Sequence, residues 1–379
     1  MQPDPPADEL RRLLAEVDVP AEAAERLTFH GVWGHVHRRT TAAGLEPPAW
    51  LEAEGRGRRA WALEQHLRTL HDLQGLGALL DGAGVSWLVL KGPVLSALYP
   101  QPDLRGYTDL DLLVAPHALG AAVAALLEAG WRVVESPADL ARRPPVGELH
   151  VQGPTGTSVD LHWHPFYRPD HVSRGRVDVA DLLARRRDVT VGARPVPALP
   201  ADAQLVHVAA HAAAGGGNRL RWLCDVGHVV AATAAEDWPA VVATARRWHL
   251  APTVGLMLAR TAAHLPVAVP APVVAELASD RLRTLDALAG RVDPVPGSRA
   301  HGSPTAAVAR ASERRWTGPV TAAAARAGRA GRRRRRASAE ARRADVTLLP
   351  DGPAALRRFV DAVAASTDLS TRRSRAPRR

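Results

Sequence analysis

The chain has 379 residues, 46% of them hydrophobic, enough for two or three domains with real cores. It has one cysteine, Cys224, which excludes an intramolecular disulfide framework and fits a reducing compartment. The formal charge of +10 resembles a nucleic-acid footprint, but residues 301–379 hold 19 Arg against 6 Asp+Glu, a net of +13, which leaves −3 on the first 300 residues.

The opening MQPDPPADEL has acidic residues and prolines where a signal peptide needs a basic region and an apolar run. No stretch approaches the roughly 18 apolar residues of a membrane span, so a cytoplasmic chain without membrane contact is the expectation. Residues 1–80 read as helical. ADELRRLLAEV and AAEAAERLTFHGVWGHVHRR space their apolar residues by three and four, and a further helical pattern runs from Pro48 to Gly82–Gly84. Gly55 and Gly57 suggest a break before residue 59.

The pattern then changes. Val85–Leu90 favours a strand and ends at Gly92-Pro93, where a helix over Pro93–Tyr99 is expected to start. Lys91, between them, is the single lysine of the chain. A strand follows at Asp109–Val114, a helix at Pro116–Gly130 and a strand at Trp131–Glu135. Arg142–Gly147 is a proline-containing loop, and Glu148–Gln152 and Ser158–Trp163 flank GPTGT as a hairpin. Together these make a small α/β unit. Leu182–Thr190 adds one more element, and Pro197-Ala-Leu-Pro200 reads as a linker. Helices are expected at Ala201–Ala214, Leu220–Thr233, Trp238–Trp248 and Pro252–Pro266, with Gly215–Gly217 as a break. From about residue 268 the chain is Ala/Arg-rich, with a pure arginine run at Arg332–Arg336, and is expected to be partly disordered.

Asp109 and Asp111 stand two apart in TDLDLLV, so on a strand they share a face while Leu110 and Leu112 point into a core. Two such carboxylates repel unless a cation lies between them, and hard oxygen donors suit Mg²⁺. Asp160, in SVDLHW, has the same apolar flanks. If its strand lies beside the first, three carboxylates converge and could hold one or two Mg²⁺ ions. Taken alone, DxD spacing is more often a solvated strand end. Lys91-Gly92 precedes a helix start, where free N–H groups, a glycine backbone and a lysine can hold phosphate, although GxxxxGK[ST] is absent and the feature could be a plain turn. His162 shares a strand face with Asp160 and could touch substrate or hydrogen-bond that carboxylate; His150 on the partner strand has the same options, and both could be structural. His207 and His211 are one helical turn apart without the glutamate of HExxH, so they are not read as a metal site. Asp225 is spaced to pair with Arg221, and Trp163 alternates toward the core. The arginine run could engage an anionic partner, but it has no interleaved aromatics.

The ordered set LKGPVLSALYP, Arg105, TDLDLLV, a helix and GW, then VDLHW resembles the uncharacterised nucleotidyltransferase family of the polymerase-beta-like superfamily. HVAAHAAAGGGNRLRWLCDV and EDW look familial too, and the likeness extends over about 55–260. It implies an α+β fold: a small nucleotidyltransferase domain with a mixed sheet, flanked by N- and C-terminal helical regions. The corresponding boundaries are 1–80 helical, 81–196 catalytic, 197–267 helical and 268–379 basic tail. By motif, Lys91 and Gly92 match the phosphate turn, although the better-known superfamily turn is Gly-Ser. Asp109, Asp111 and Asp160 match the metal-binding carboxylates, and Arg105 matches an arginine upstream of DxD that serves nucleotide phosphates. The implied activity is Mg²⁺-dependent transfer of an NMP from an NTP, ATP among the candidates, to a small molecule, peptide, protein or RNA, with release of pyrophosphate. The alternatives are a nucleic-acid-binding or scaffold protein with an inactive domain, and a small-molecule phosphotransferase.

Overall fold

The computed structural model describes residues 7–17, 20–141, 147–166, 177–292, 304–312 and 343–375. The arginine run at 332–336 and most of the loop at 142–147 lie outside them. The chain forms two compact units, each assembled from separate stretches: 1–67, 95–107 and 201–316 in one, and 68–94, 108–200 and 317–379 in the other.

The second unit holds a mixed sheet of eight described strands: β1 (Trp87–Val89), β2 (Asp109–Val114), β3 (Arg132–Glu135), β4 (Glu148–Gln152), β5 (Ser158–His162), β6 (Arg187–Val191), β7 (Arg194–Ala198) and β8 (Ala344–Asp345). Their order is β6-β7-β1-β2-β5-β4-β3-β8. β2 and β5 run parallel, as do β1 and β7. β4 and β5 form the expected hairpin, with Leu149 opposite Leu161.

Alternation divides this sheet into two faces. Leu110, Leu112, Leu149, Val151, Val159 and Leu161 are fully or almost fully buried in one core. Against them pack Leu73, Leu76 and Leu80 from the helix Ala49–Gly82 and Leu119, Val123 and Leu126 from the helix Leu119–Glu128. Leu356, Phe359 and Val363 from the helix Gly352–Arg375 join the same core. Trp163 lies there too, its ring 5.6 Å from that of Phe359. The intervening residues of β2, β5 and β4 project from the opposite face and carry the charges.

Two local expectations need correction. Pro197–Pro200 is not a linker from its start: residues 194–198 are β7, paired along its length with β6. Pro195 and Pro197 are two apart, so their missing N–H donors fall on one edge and leave the other able to pair. The helix Ala49–Gly82 is unbroken at Gly55. The glycine serves close packing there, since a Cβ at Gly55 would stand 2.6 Å from His37 Cβ. Gly→Ala inside a helix ordinarily stabilises by about 1 kcal/mol. Gly55→Ala is expected to do the reverse, destabilising by about 1–3 kcal/mol through overpacking, as read by urea denaturation.

The first unit is helical. Its helices include Pro20–His30, Trp33–Ala42, Ala201–Ala214, Leu220–Ala231, Trp238–Arg247 and Ala251–His264, together with the first part of Ala49–Gly82. The first helix expected after the linker, Ala201–Ala214, is buried along most of its length. Gly217 has φ +63, and a Cβ at Gly215 would stand 2.2 Å from the Trp222 ring, so the glycine run ends this helix by backbone shape and by close approach. Among the described residues, no helix is long and apolar enough to cross a membrane.

Candidate active site

The parallel register of β2 and β5 puts Asp111 directly opposite Asp160, and Asp109 opposite Ser158. In the hairpin, His150 faces Asp160 and Glu148 faces His162. One sheet face therefore carries Asp109, Asp111, Asp160, His162, Glu148 and His150 in adjacent rows.

Lys91 joins them from the end of β1. Leu90 N donates to Asp111 O at 2.9 Å, which holds the chain against β2 up to the residue before it. Lys91 Nζ then lies 3.0 Å from Asp111 Oδ1. Gly92 has φ +67, a left-handed backbone that glycine adopts without strain, and it turns the chain into the short helix Pro93–Ser96. The expected helix over 93–99 is thus only one turn long, and the turn itself is the more substantial feature.

Asp111 is the electrostatic centre of the site. It is 2% exposed, and His162 Nε2 donates to its Oδ1 at 3.1 Å. Burial alone would raise its pKa; Lys91 and His162 overcome that and hold the carboxyl well below the usual range. Burial works against the Lys91 ammonium as well, but Asp111, Asp109 and Asp160 together raise its pKa. Asp109 is pushed up by burial and by the Asp111 charge, with Lys91 offsetting part of the rise. Burial disfavours the charged form of His162, and the hydrogen bond to Asp111 outweighs it, raising the pKa.

A second cluster adjoins the first. His150 Nδ1 lies 2.5 Å from Glu135 Oε1, and its Nε2 lies 3.4 Å from Asp160 Oδ1. Burial lowers the His150 pKa, but Glu135, Asp160 and Glu148 raise it to a net increase. Arg343 Nη2 lies 2.6 Å from His150 Nε2.

Asp111, Asp160 and His162 each offer one donor atom, and these atoms lie within 4.8 Å of one another. Asp111 Oδ2 is buried without a hydrogen-bond partner, the state expected of an oxygen that serves an ion. The two carboxylates suit Mg²⁺ or Mn²⁺, whereas the imidazole is a donor typical of softer divalent ions such as Zn²⁺ or Fe²⁺. The residues present therefore fit a divalent metal. Asp109 is not in this cluster, and His162 is. His162 bonds Asp111, the carboxylate across the strand pair, whereas sequence reading paired it with Asp160. Among the described residues this is the single cluster of such geometry, and His207 and His211 form none. Glu135, Glu148 and Arg343 were not singled out from sequence. The alternation in ELHVQ puts Glu148 on the His150 face and could have found it; nothing local points to Glu135 or Arg343.

Arg105 is placed in the helical unit. Its Nε donates to Asp225 Oδ1 at 2.6 Å and its Nη2 to Oδ2 at 3.0 Å, while Tyr99 Oη donates to Oδ1 at 2.7 Å. Asp225 thus pairs with Arg105, not with Arg221 four residues away.

A family model described as "Uncharacterised nucleotidyltransferase" matches residues 20–266. No curated protein matches the chain. Among solved structures, the antibiotic-resistance factor ANT(2'')-Ia in solution is 14% identical at a TM-score of 0.33, over 46% of this chain and 89% of that one. The same factor crystallised with adenylyl-2''-tobramycin gives 14% identity and a TM-score of 0.35, over 47% and 97%. An antigenic nucleotidyltransferase-like protein from Paracoccidioides brasiliensis gives 14% and 0.25, over 46% and 86%. At these values the likenesses transfer no residue role and no substrate. The family match spans more than half of the chain and both carboxylate strands, and on that ground this chain belongs to the uncharacterised nucleotidyltransferase family.

Proposed function

We propose that the protein is a metal-dependent nucleotidyltransferase that moves an NMP from an NTP to an acceptor. The observation that carries this is the in-register pair Asp111–Asp160 on parallel strands, with Asp111 Oδ2 buried and unpartnered while Lys91 and His162 both meet Oδ1. A bound Mg²⁺ or Mn²⁺ would polarise the phosphoryl group and neutralise charge on the leaving pyrophosphate. Asp111, Asp160 and His162 would hold it, with Asp109 as a further oxygen ligand. Lys91, kept protonated, and the backbone at Gly92 are assigned to the phosphates. In the reaction, the acceptor oxygen forms a bond to the α-phosphorus, the bond from that phosphorus to the bridging oxygen breaks, and pyrophosphate leaves. Asp160 takes the acceptor proton and passes it to solvent.

The test titrates ATP, GTP, CTP and UTP with Mg²⁺ into wild type and Asp109→Ala/Asp111→Ala, then follows NMP incorporation and pyrophosphate release. Binding by wild type alone supports the proposal, and equal binding with no transfer to any acceptor by either protein overturns it. Phosphate instead of NMP on the acceptor would indicate a phosphotransferase. Lys91→Arg separates charge from shape. Lys91 Nζ and His162 Nε2 share Asp111 Oδ1, so the bulkier, planar guanidinium competes with His162 for it, and NTP affinity is expected to fall about tenfold, measured by calorimetry.

A further inference from the structure

Residues 343–363 lie beyond the stretch that matches the family, 20–266, yet they complete the sheet unit. β8 pairs with β3, with Val134 opposite Asp345 and Glu135 opposite Ala344. The Asp345 carboxylate accepts from Thr347 N at 3.0 Å and from Thr347 Oγ1 at 2.6 Å, which fixes the turn after the strand. Val346 and Phe359 sit in the sheet core. Arg343, the residue before β8, is therefore held at both ends: by the strand that follows it and by its contact with His150. A guanidinium donates only, through five N–H groups, and one of them is aimed at His150 Nε2.

The charges at this corner sort by depth. Glu135 and Glu148 are buried and face His150 and His162. Arg343 is exposed. Along the sheet, Lys91 lies on the β1 side, 3.0 Å from Asp111 Oδ1, while Arg343 stands on the β4 side. A phosphate-bearing substrate approaching Asp109, Asp111 and Asp160 meets repulsion from three carboxylates and needs a cation at their margin. Arginine supplies a planar fork that matches phosphate oxygens.

We propose that Arg343 is a phosphate-contacting residue, delivered to the β4–β5 side of the site by the C-terminal segment. This rests on the nucleotidyltransferase reading. The phosphate belongs either to the nucleotide or to the acceptor, and two probes separate them. Full-length wild type, Arg343→Ala and Arg343→Lys are titrated calorimetrically with Mn²⁺–tripolyphosphate. Inorganic phosphate is then titrated into the same proteins saturated with Mn²⁺ and a non-hydrolysable ATP analogue. Arg343→Ala is expected to lose about tenfold in affinity for one probe, with Arg343→Lys recovering only part of it. An unchanged melting temperature separates this loss from misfolding. Loss toward tripolyphosphate assigns the contact to the nucleotide, and loss toward inorganic phosphate alone assigns it to the acceptor. Equal affinities in wild type and Arg343→Ala for both probes overturn the Arg343 proposal and leave the nucleotidyltransferase reading standing. Wild type binding neither probe removes both.

Discussion

Asp111→Asn is expected to weaken Mn²⁺ binding by more than about 100-fold, beyond the roughly 10–100-fold lost when only an outer hydrogen-bond partner of a metal ligand is changed. The amide keeps the shape of the side chain but not the charge that Lys91 and His162 share. Asp111→Ala goes further. It leaves Lys91, 19% exposed at its side chain, without its nearest carboxylate. Removing one partner of a buried pair costs about 3–5 kcal/mol, and Lys91→Met in the same chain should restore part of that loss. The pH dependence follows from the two shifts. The folded Asp111 carboxyl is depressed, so its contribution is complete above its ordinary unfolded value and is lost as pH falls toward the folded one. The folded Lys91 ammonium is raised, so its contribution is complete below its ordinary unfolded value and is lost as pH rises through the folded one. Urea denaturation across the acid and alkaline limbs should show both losses in wild type and smaller ones in Asp111→Ala/Lys91→Met.

The second large effect is expected in the helical unit. Arg105 and Asp225 are both almost fully buried, at 10% and 9% side-chain exposure, in a bidentate pair that Tyr99 completes. Burial works against the Arg105 charge, and Asp225 more than restores it, so the guanidinium stays charged throughout. Asp225→Ala strands that cation. It should cost about 3–5 kcal/mol and accelerate hydrogen exchange along the helix Leu220–Ala231. Asp225→Asn keeps the acceptor oxygen for Tyr99 and should cost less. The phosphate contact implied for Arg105 by family resemblance is tested with Arg105→Lys. With Nε and Nη2 both directed at Asp225, tripolyphosphate affinity of the folded variant is expected to stay near wild type while its stability falls.

Much of the site was legible because strand alternation is a strict code. TDLDLLV and SVDLHW each interleave acids with fully buried aliphatics, which fixes the face of every residue once the strands exist. Their pairing partner was open, and the parallel register of β2 and β5 decides that Asp111, not Asp109, meets Asp160. Charge pairing was the least legible level. Asp225 has an arginine at helical spacing, yet its partner lies 120 positions earlier. His162 likewise bonds across strands to Asp111 although Asp160 shares its own strand. Breakers misled twice in the same way: Gly55 lies within a continuous helix because His37 packs on it, and Pro195 and Pro197 lie in a strand because only one of its edges lacks donors. The part played by β8 had no local signal, since two residues ahead of a helix carry no periodicity to read.

The pairing of β3 with β8 joins residues 135 and 344, 209 positions apart in the chain. Closing so large a loop is entropically costly, while the hairpins β4–β5 and β6–β7 close locally. The edge of β3 and the apolar surface later covered by Val346, Leu356 and Phe359 therefore stay open during refolding until this closure. Such an unpaired edge beside a bare apolar face is a template for association between chains. Refolding yield should consequently fall with protein concentration, and the late step should be the protection of β3 amides, after those of β2 and β5 are already slow to exchange.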